Sequence, residues 1–286
     1  MIRLIVRAIR YCSNEGLYRT AVVSVRFILL TFRHWIGLRY FYTNSMYVSL
    51  LAWWNGGRGR YSRNADPFKI LWIDPTTVEF VTGRDPFPGR FQWQQIGLVR
   101  GGDWDNTTTR FDDLPTVQGL YSRYQNGREW NETAFIHQLK RQIESDLEDP
   151  DWRRVRSHSD LEKACKKVDD LFARINEEGY KTTSQLLEED KNALCYRSLP
   201  NHLLQYDEVA VDIGRDGEFL FVDGRHRLAI AKILGLDEIP VRVSTRHAEW
   251  QRVRERIGDT ADPRTELPSE VTRHLDHPDL ADLLGR

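Results

Sequence analysis

The most regular pattern of apolar and polar positions lies between residues 209 and 243. Two short segments alternate as half-buried strands do, and the segment after them has helical spacing. The Asp216-Gly217 pair between the two strand segments accepts the positive φ of a tight hairpin turn, and Gly235 is placed to end the helix. The pattern predicts strands at 209–213 and 218–222, a helix over 228–234 and a strand at 239–243.

Weaker patterns precede this region. Residues 69–75 predict a strand that residues 77–81 continue, and residues 82–118 are rich in Gly, Asp, Pro and Thr, which predicts a long loop. Helices are predicted from Val117 to near Gly127 and from Trp130 to about Leu147.

Two further helices are predicted around the central pattern. Ser159 with Glu162 has the form of a capping box, which predicts a helix from Ser159 to near Gly179. A charged helix is predicted over 249–257, and the acidic segment beyond Asp259 is expected to be loosely held. Residues 181–205 are mixed and polar.

The N-terminal residues 1–60 form a basic module that ends in a Gly-rich linker. Residues 1–40 contain seven arginines against one acid, although the whole chain has a formal charge of -1. Basic residues opposite an apolar face are typical of helices that lie on an anionic membrane surface, so residues 1–54 predict peripheral membrane association. A basic helical hairpin packed on protein is the alternative. The basic positions of the first helix are Arg3, Arg7 and Arg10.

Three widely spaced cysteines show neither a disulfide framework nor zinc-ligand spacing. A reducing, cytoplasmic location is therefore expected, with the membrane surface as an alternative site of residence.

The chemistry of the chain is concentrated where the second strand of the hairpin leads into a helix. Gly224 lets the backbone approach a ligand, and a helix start offers free N–H groups to an anion. Arg225, His226 and Arg227 add cationic donors suited to phosphate oxygens. Asp223 would repel phosphate, so it is expected to bind Mg²⁺ or to act as a base. The alternative is purely structural: a turn glycine, a capping Asp223 and arginines in solvent.

These residues resemble the ParB/sulfiredoxin-like superfamily. Residues 209–243 look like its signature half, in which residues 218–241 follow the order of strand, loop, helix, Leu-Gly-Leu and Ile-Pro-Val. Residues 69–75 and 171–179 resemble its opening strand and a later helix. The resemblance implies an α+β fold with a small mixed sheet over residues 66–250. It leaves uncovered the N-terminal module, a long helical insertion at about 80–160, and a charged helix with acidic tail at 251–286.

The resemblance also implies roles for single residues. Chromosome-partitioning members bind CTP phosphates with Gly-Glu-Arg-Arg, where Gly224, His226 and Arg227 match in kind. Sulfiredoxins have Gly-Cys-His-Arg, but Arg225 replaces the catalytic Cys, so sulfinic acid reduction is not expected. Free-serine kinases have Asp-Gly-His-Thr-Arg, which Asp223, Gly224 and Arg227 match. The resemblance therefore implies an NTP, either ATP or CTP, with Asp223 in catalysis.

Asp103 and Asp105 lie one residue apart in a Gly-rich loop and are candidate Mg²⁺ ligands. The preferred function is a Mg²⁺-dependent phosphotransferase or NTPase with an unknown phosphoryl acceptor. A ParB-like nucleic-acid-binding or nuclease protein is the first alternative, disfavoured because an acidic tail repels DNA. A non-catalytic nucleotide sensor at a membrane surface is the second.

Overall fold

The computed structural model describes residues 55, 61–84, 95–144, 155, 157–189 and 204–285, all within one compact unit. Apart from Asn55, the predicted N-terminal module of residues 1–60 and its membrane-facing helix lie outside the described residues.

The described residues form a mixed six-stranded sheet flanked by helices, which confirms the predicted α+β class. The strands run in the order β1-β6-β4-β5-β2, and β3 also pairs with β6. Strands β2 and β5 are parallel, as are β3 and β6, and β4 and β6; the other two pairs are antiparallel. The strands are β1 Ile70–Ile73, β2 Phe80–Val81, β3 Leu98–Arg100, β4 Val209–Ile213, β5 Phe219–Asp223 and β6 Ile239–His247.

Among the described residues, no helix is both long and apolar enough to cross a bilayer. The helices are α1 Pro115–Tyr124, α2 Ala134–Glu144, α3 His158–Glu178, α4 Thr183–Glu189, α5 Arg225–Leu234, α6 Ala248–Gly258, α7 Pro263–Glu266 and α8 Ser269–Thr272, with 3-10 turns at Pro75–Thr77, Trp130–Glu132 and Pro278–Leu283.

The pattern between residues 209 and 243 is confirmed in its order of elements. β4 and β5 form the hairpin, α5 follows, and Gly235 ends α5 in the left-handed conformation with φ 64°. The predicted boundaries were wrong at three places. Strand β5 runs over Phe219–Asp223, one residue later than predicted. Helix α5 begins at Arg225 instead of Leu228, and β6 continues past Val243 to His247, because it also pairs with β3.

The predicted insertion at about 80–160 is not confined to added helices. Its β2 pairs with β5 and its β3 pairs with β6, so the insertion completes the sheet. Residues 77–81 do not extend β1, because a 3-10 turn at Pro75–Thr77 redirects the chain to the other edge.

Helix α3 begins at His158, and its N-cap lies two residues before the predicted one. Ser157, not Ser159, is its N-cap, and the Ser157 side chain accepts from the Asp160 N–H. The helix ends before Gly179, as predicted, and buries Leu161, Cys165, Val168 and Ile175. The polar region after it contains α4, a helix that the sequence pattern did not predict.

The C-terminal segment is not a loosely held acidic tail, and residues 251–286 are not separate from the domain. Asp279 and Leu280 are fully buried. Asp279 receives hydrogen bonds from Arg246 and Trp250, and Asp282 pairs with Arg254 at 2.8 Å. Arginines of the domain neutralise these two acids, whereas Asp262, Glu266 and Glu270 of the same segment are exposed.

Candidate functional site

Gly224 joins β5 to α5 in a backbone conformation that favours glycine. Its φ is +91°, and a Cβ at this position would lie 3.1 Å from the Cα of Val209 on β4. Both the positive φ and the close approach to β4 disfavour any side chain here. The Gly224 carbonyl accepts from the Leu228 N–H at 3.1 Å, so α5 starts at once. The predicted strand, glycine and helix start are therefore present.

Asp223 is the last residue of β5, and its side chain is exposed. Its Oδ1 accepts from the Gly224 N–H at 2.8 Å. This bond ties the carboxylate to the loop, but it is not the predicted helix cap, because the N-cap of α5 is Gly224 and no side chain caps it. The exposure of Asp223 also leaves its carboxylate within reach of an ion in solvent.

The first turn of α5 carries Arg225, His226 and Arg227, all half-buried. The Arg227 guanidinium lies against protein acceptors: its Nη1 donates to the Asp207 carbonyl at 2.5 Å and to Glu208 Oε2 at 3.4 Å. Burial by itself would lower the pKa of Arg227, but Tyr180 and the neighbouring carboxylates outweigh it and raise the pKa. Arg227 therefore keeps its charge beside the loop.

Sequence reasoning missed the partners of Arg227. Thr183, the first residue of α4, donates its N–H to Glu208 Oε1 at 2.5 Å and its hydroxyl to the Asp207 carbonyl at 3.0 Å. Glu208 is buried, and this burial raises its pKa although Arg227 and Thr183 oppose the shift. The available signal was an acidic pair directly before an apolar strand, where a buried carboxylate needs a cationic partner.

Arg242 is a second arginine on this side of the sheet that the sequence pattern did not single out. Asp223 pairs with Ala210, and Ala210 pairs with Arg242, so the three residues form one row across β5, β4 and β6. Residues paired across strands share a face, with the small Ala210 in between. Burial lowers the pKa of Arg242, against the charges of Asp207, Asp223 and Asp212.

Asp103 and Asp105 lie at the other end of β5 from Asp223. Arg215, in the turn before β5, donates to Asp103 Oδ1 at 2.8 Å and to both oxygens of Asp105 at 2.8 Å. Burial would raise the pKa of Asp105, but these hydrogen bonds lower it to about 2. The structure does not bring Asp103 and Asp105 close to Asp223. Both carboxylates pair with the guanidinium of Arg215 instead. Their metal role stays a prediction.

Within the described ranges, no three His, Cys, Asp or Glu side chains form a group that could hold a metal ion. A Mg²⁺ ion commonly takes only one or two protein carboxylates and fills the remaining positions with phosphate oxygens and water. Asp223 fits such a role because its carboxylate is exposed at a helix start.

Comparison with known proteins gave no match to a family model, a curated protein or a solved structure.

Proposed function

We propose that the chain binds the phosphates of a nucleoside triphosphate at the start of α5, and that it hydrolyses or transfers the terminal phosphoryl group with Mg²⁺. The proposal rests on one arrangement: an exposed carboxylate ends β5, and a glycine packed against β4 opens a ten-residue helix with cationic residues in its first turn. The resemblance of the same residues to the ParB/sulfiredoxin-like superfamily supports it.

Each residue has a distinct part in the proposed site. Gly224 allows the phosphates to approach the backbone N–H groups of the first turn of α5, whose dipole favours negative charge. Arg225 and His226 supply donors to phosphate oxygens. Asp223 binds Mg²⁺ or accepts the proton of the attacking hydroxyl.

The charges around the loop favour a phosphate that arrives with a cation. The carboxylates Asp207, Glu208 and Asp223 offset the guanidinium groups of Arg225, Arg227 and Arg242. A triphosphate without a metal ion would therefore meet no large excess of positive charge. Asp223 would hold the Mg²⁺ ion, whose charge would offset the repulsion between this carboxylate and the phosphates.

Titration calorimetry with ATP, CTP and GTP, each with and without Mg²⁺, tests the proposal directly. We expect one nucleotide to bind, more tightly with Mg²⁺, and its diphosphate product to accumulate. Arg225→Gln should weaken binding, whereas Arg256→Gln, at the far end of α6, serves as the matched control. The proposal fails if none of the three nucleotides binds.

Nucleic-acid binding is the second candidate, because the arginine pairing of Asp279 and Asp282 lessens the acidity of the C-terminal segment that counts against it. A gel-shift titration with duplex DNA at several salt concentrations separates the two functions. A strongly salt-dependent shift without nucleotide binding would favour the ParB-like alternative. Nucleotide binding without product formation would favour the non-catalytic sensor.

A further inference from the structure

The Arg227 guanidinium contacts protein acceptors and belongs to the turn where we propose that phosphates bind. On the protein side it contacts Glu208 Oε2 at 3.4 Å and the Asp207 carbonyl at 2.5 Å. Arg227 also lies in the first turn of α5, where we propose that the phosphates bind. The negative charge of Asp223 favours the protonated form of Arg227. A bound phosphate and Glu208 would therefore draw on the same positive charge.

Glu208 depends on this charge because its side chain is only 1% exposed. Within the part of the chain that the structure describes, its carboxylate also accepts from the Thr183 N–H at 2.5 Å. A buried carboxylate that loses its cationic partner is costly to keep ionised, and it takes up a proton instead.

We propose that Glu208 is a positioning residue for Arg227, and that phosphate binding at the start of α5 weakens the hold of Arg227 on Glu208, so that Glu208 takes up a proton from solvent. The inference rests on the proposed function, since it requires a phosphate ligand at α5. It adds a regulatory property: ligand affinity rises as pH falls, because protonated Glu208 no longer competes for Arg227.

The groups around Glu208 determine the direction of this coupling. Arg227 on α5 and the Thr183 N–H on α4 favour the ionised form, whereas burial and the adjacent Asp207 disfavour it. Of these effects, a bound phosphate would weaken only the stabilisation of ionised Glu208 by Arg227. The pKa of Glu208 therefore rises on binding, and each unit of rise corresponds to about a tenfold gain in affinity at low pH.

The same contact links the site to α4. Glu208 holds the first N–H of α4 through Thr183, and the Thr183 hydroxyl also lies 3.5 Å from Arg227 Nη1. A shift of Arg227 toward phosphate therefore changes the electrostatic surroundings of the first turn of α4. We expect the largest electrostatic change at the backbone amides of Thr183 and Ser184.

The test is titration of the full chain with inorganic triphosphate plus Mg²⁺, by calorimetry in two buffers of different ionisation enthalpy, between about pH 6 and pH 8. Inorganic triphosphate has the phosphates of a nucleotide without its base. The variants are Glu208→Gln, which cannot take up a proton, Glu208→Asp, which can, and the exposed control Glu238→Gln. Thermal melting confirms that each variant is folded.

We expect the wild type, Glu208→Asp and Glu238→Gln to take up more protons on binding than Glu208→Gln does. Their affinities should rise toward pH 6, with the proton release of triphosphate common to all four proteins. Equal proton uptake by wild type and Glu208→Gln overturns the inference and leaves the proposed function intact. If Glu208→Gln does not fold, the wild type alone decides. The inference about Glu208 is overturned if the wild type takes up no more protons on binding than the triphosphate itself accounts for. Absence of binding to the wild type overturns both proposals.

Discussion

Asp279 and Arg246 form an ion pair in which both side chains are shielded from solvent. Arg246 Nη2 donates to Asp279 Oδ1 at 2.6 Å, and Arg246 Nε donates to Oδ2 at 3.0 Å. The Trp250 indole donates to the same carboxylate at 2.9 Å. Burial would raise the pKa of Asp279, but the two arginines Arg246 and Arg254 hold it far below its usual range. An acidic residue therefore anchors the C-terminal segment to the domain.

Replacing Asp279 with Asn should destabilise the domain by about 3–5 kcal/mol, because buried Arg246 and Arg254 would lose the charge that compensates them. Urea unfolding measures this loss. Glu270→Gln, an exposed substitution in α8, is the control and should change stability by less than about 0.5 kcal/mol. A change of similar size in the two variants would show that the Asp279 carboxylate does not anchor the segment.

His277 should make the domain sensitive to mild acid. Burial lowers its pKa to about 4, although the charge of Asp279 and the hydrogen bond to the Gly217 carbonyl oppose this shift. The Nδ1 atom accepts from the Asp279 N–H at 3.1 Å, and Nε2 lies 2.9 Å from the Gly217 carbonyl oxygen. The unfolded chain binds this proton near pH 6.5, so stability should fall as pH drops from about 6.5 to 4, by about 3 kcal/mol in total.

His277→Gln should reduce this slope, since its amide can donate to the Gly217 carbonyl without taking up a proton. Urea titrations of both proteins at several pH values measure the difference. Parallel pH profiles would assign the acid sensitivity to other groups.

Gly224→Ala should cost more stability than Gly235→Ala, although both glycines have positive φ at the two ends of α5. A methyl group at Gly235 meets nothing within 4 Å, whereas one at Gly224 meets the Val209 Cα at 3.1 Å. We expect about 1 kcal/mol for Gly235→Ala and more than that for Gly224→Ala, with loss of nucleotide binding only for Gly224→Ala. Melting curves and calorimetry of the two variants test both parts.

Asp223→Asn should abolish turnover while changing nucleotide affinity little, since the amide oxygen still accepts from the Gly224 N–H but cannot act as a base or as an anionic Mg²⁺ ligand. Product formation and binding are measured on the same preparation. Asp103→Asn is the companion variant. Asp103 contacts Arg215 at the far end of β5, so wild-type turnover of this variant would show that the predicted Mg²⁺ role of Asp103 does not serve the site at Asp223. Full activity of Asp223→Asn would exclude its catalytic role.

The sequence predicts the β4–β5 hairpin and α5 well, because each has a local determinant. Asp216-Gly217 supplies the turn, and Gly235 supplies the end of the helix. The same holds for the junction at Gly224, where the positive φ belongs to one residue. Such local determinants can be recognised in a single sequence, so these elements can be predicted without knowledge of distant contacts.

The elements that were missed depend on distant partners. Strand β3 has three residues and no alternation of its own, and it exists because Leu98 lies beside Thr245 of β6. Asp279 belongs to a segment that was expected to be loosely held, since a charged residue is buried only when partners elsewhere in the chain compensate it. Glu208 was overlooked for the same reason: its role follows from Arg227, nineteen positions later.

Strand β6 also sets a condition on how the polypeptide is made. All nine of its residues are buried, and it pairs with β1, β3 and β4, each of which precedes it in the chain. During synthesis on the ribosome, β1 and β3 cannot pair with β6 until residues 239–247 have emerged. A nascent chain arrested before that point would expose unpaired strand edges, which are a substrate for chaperones and a starting point for aggregation.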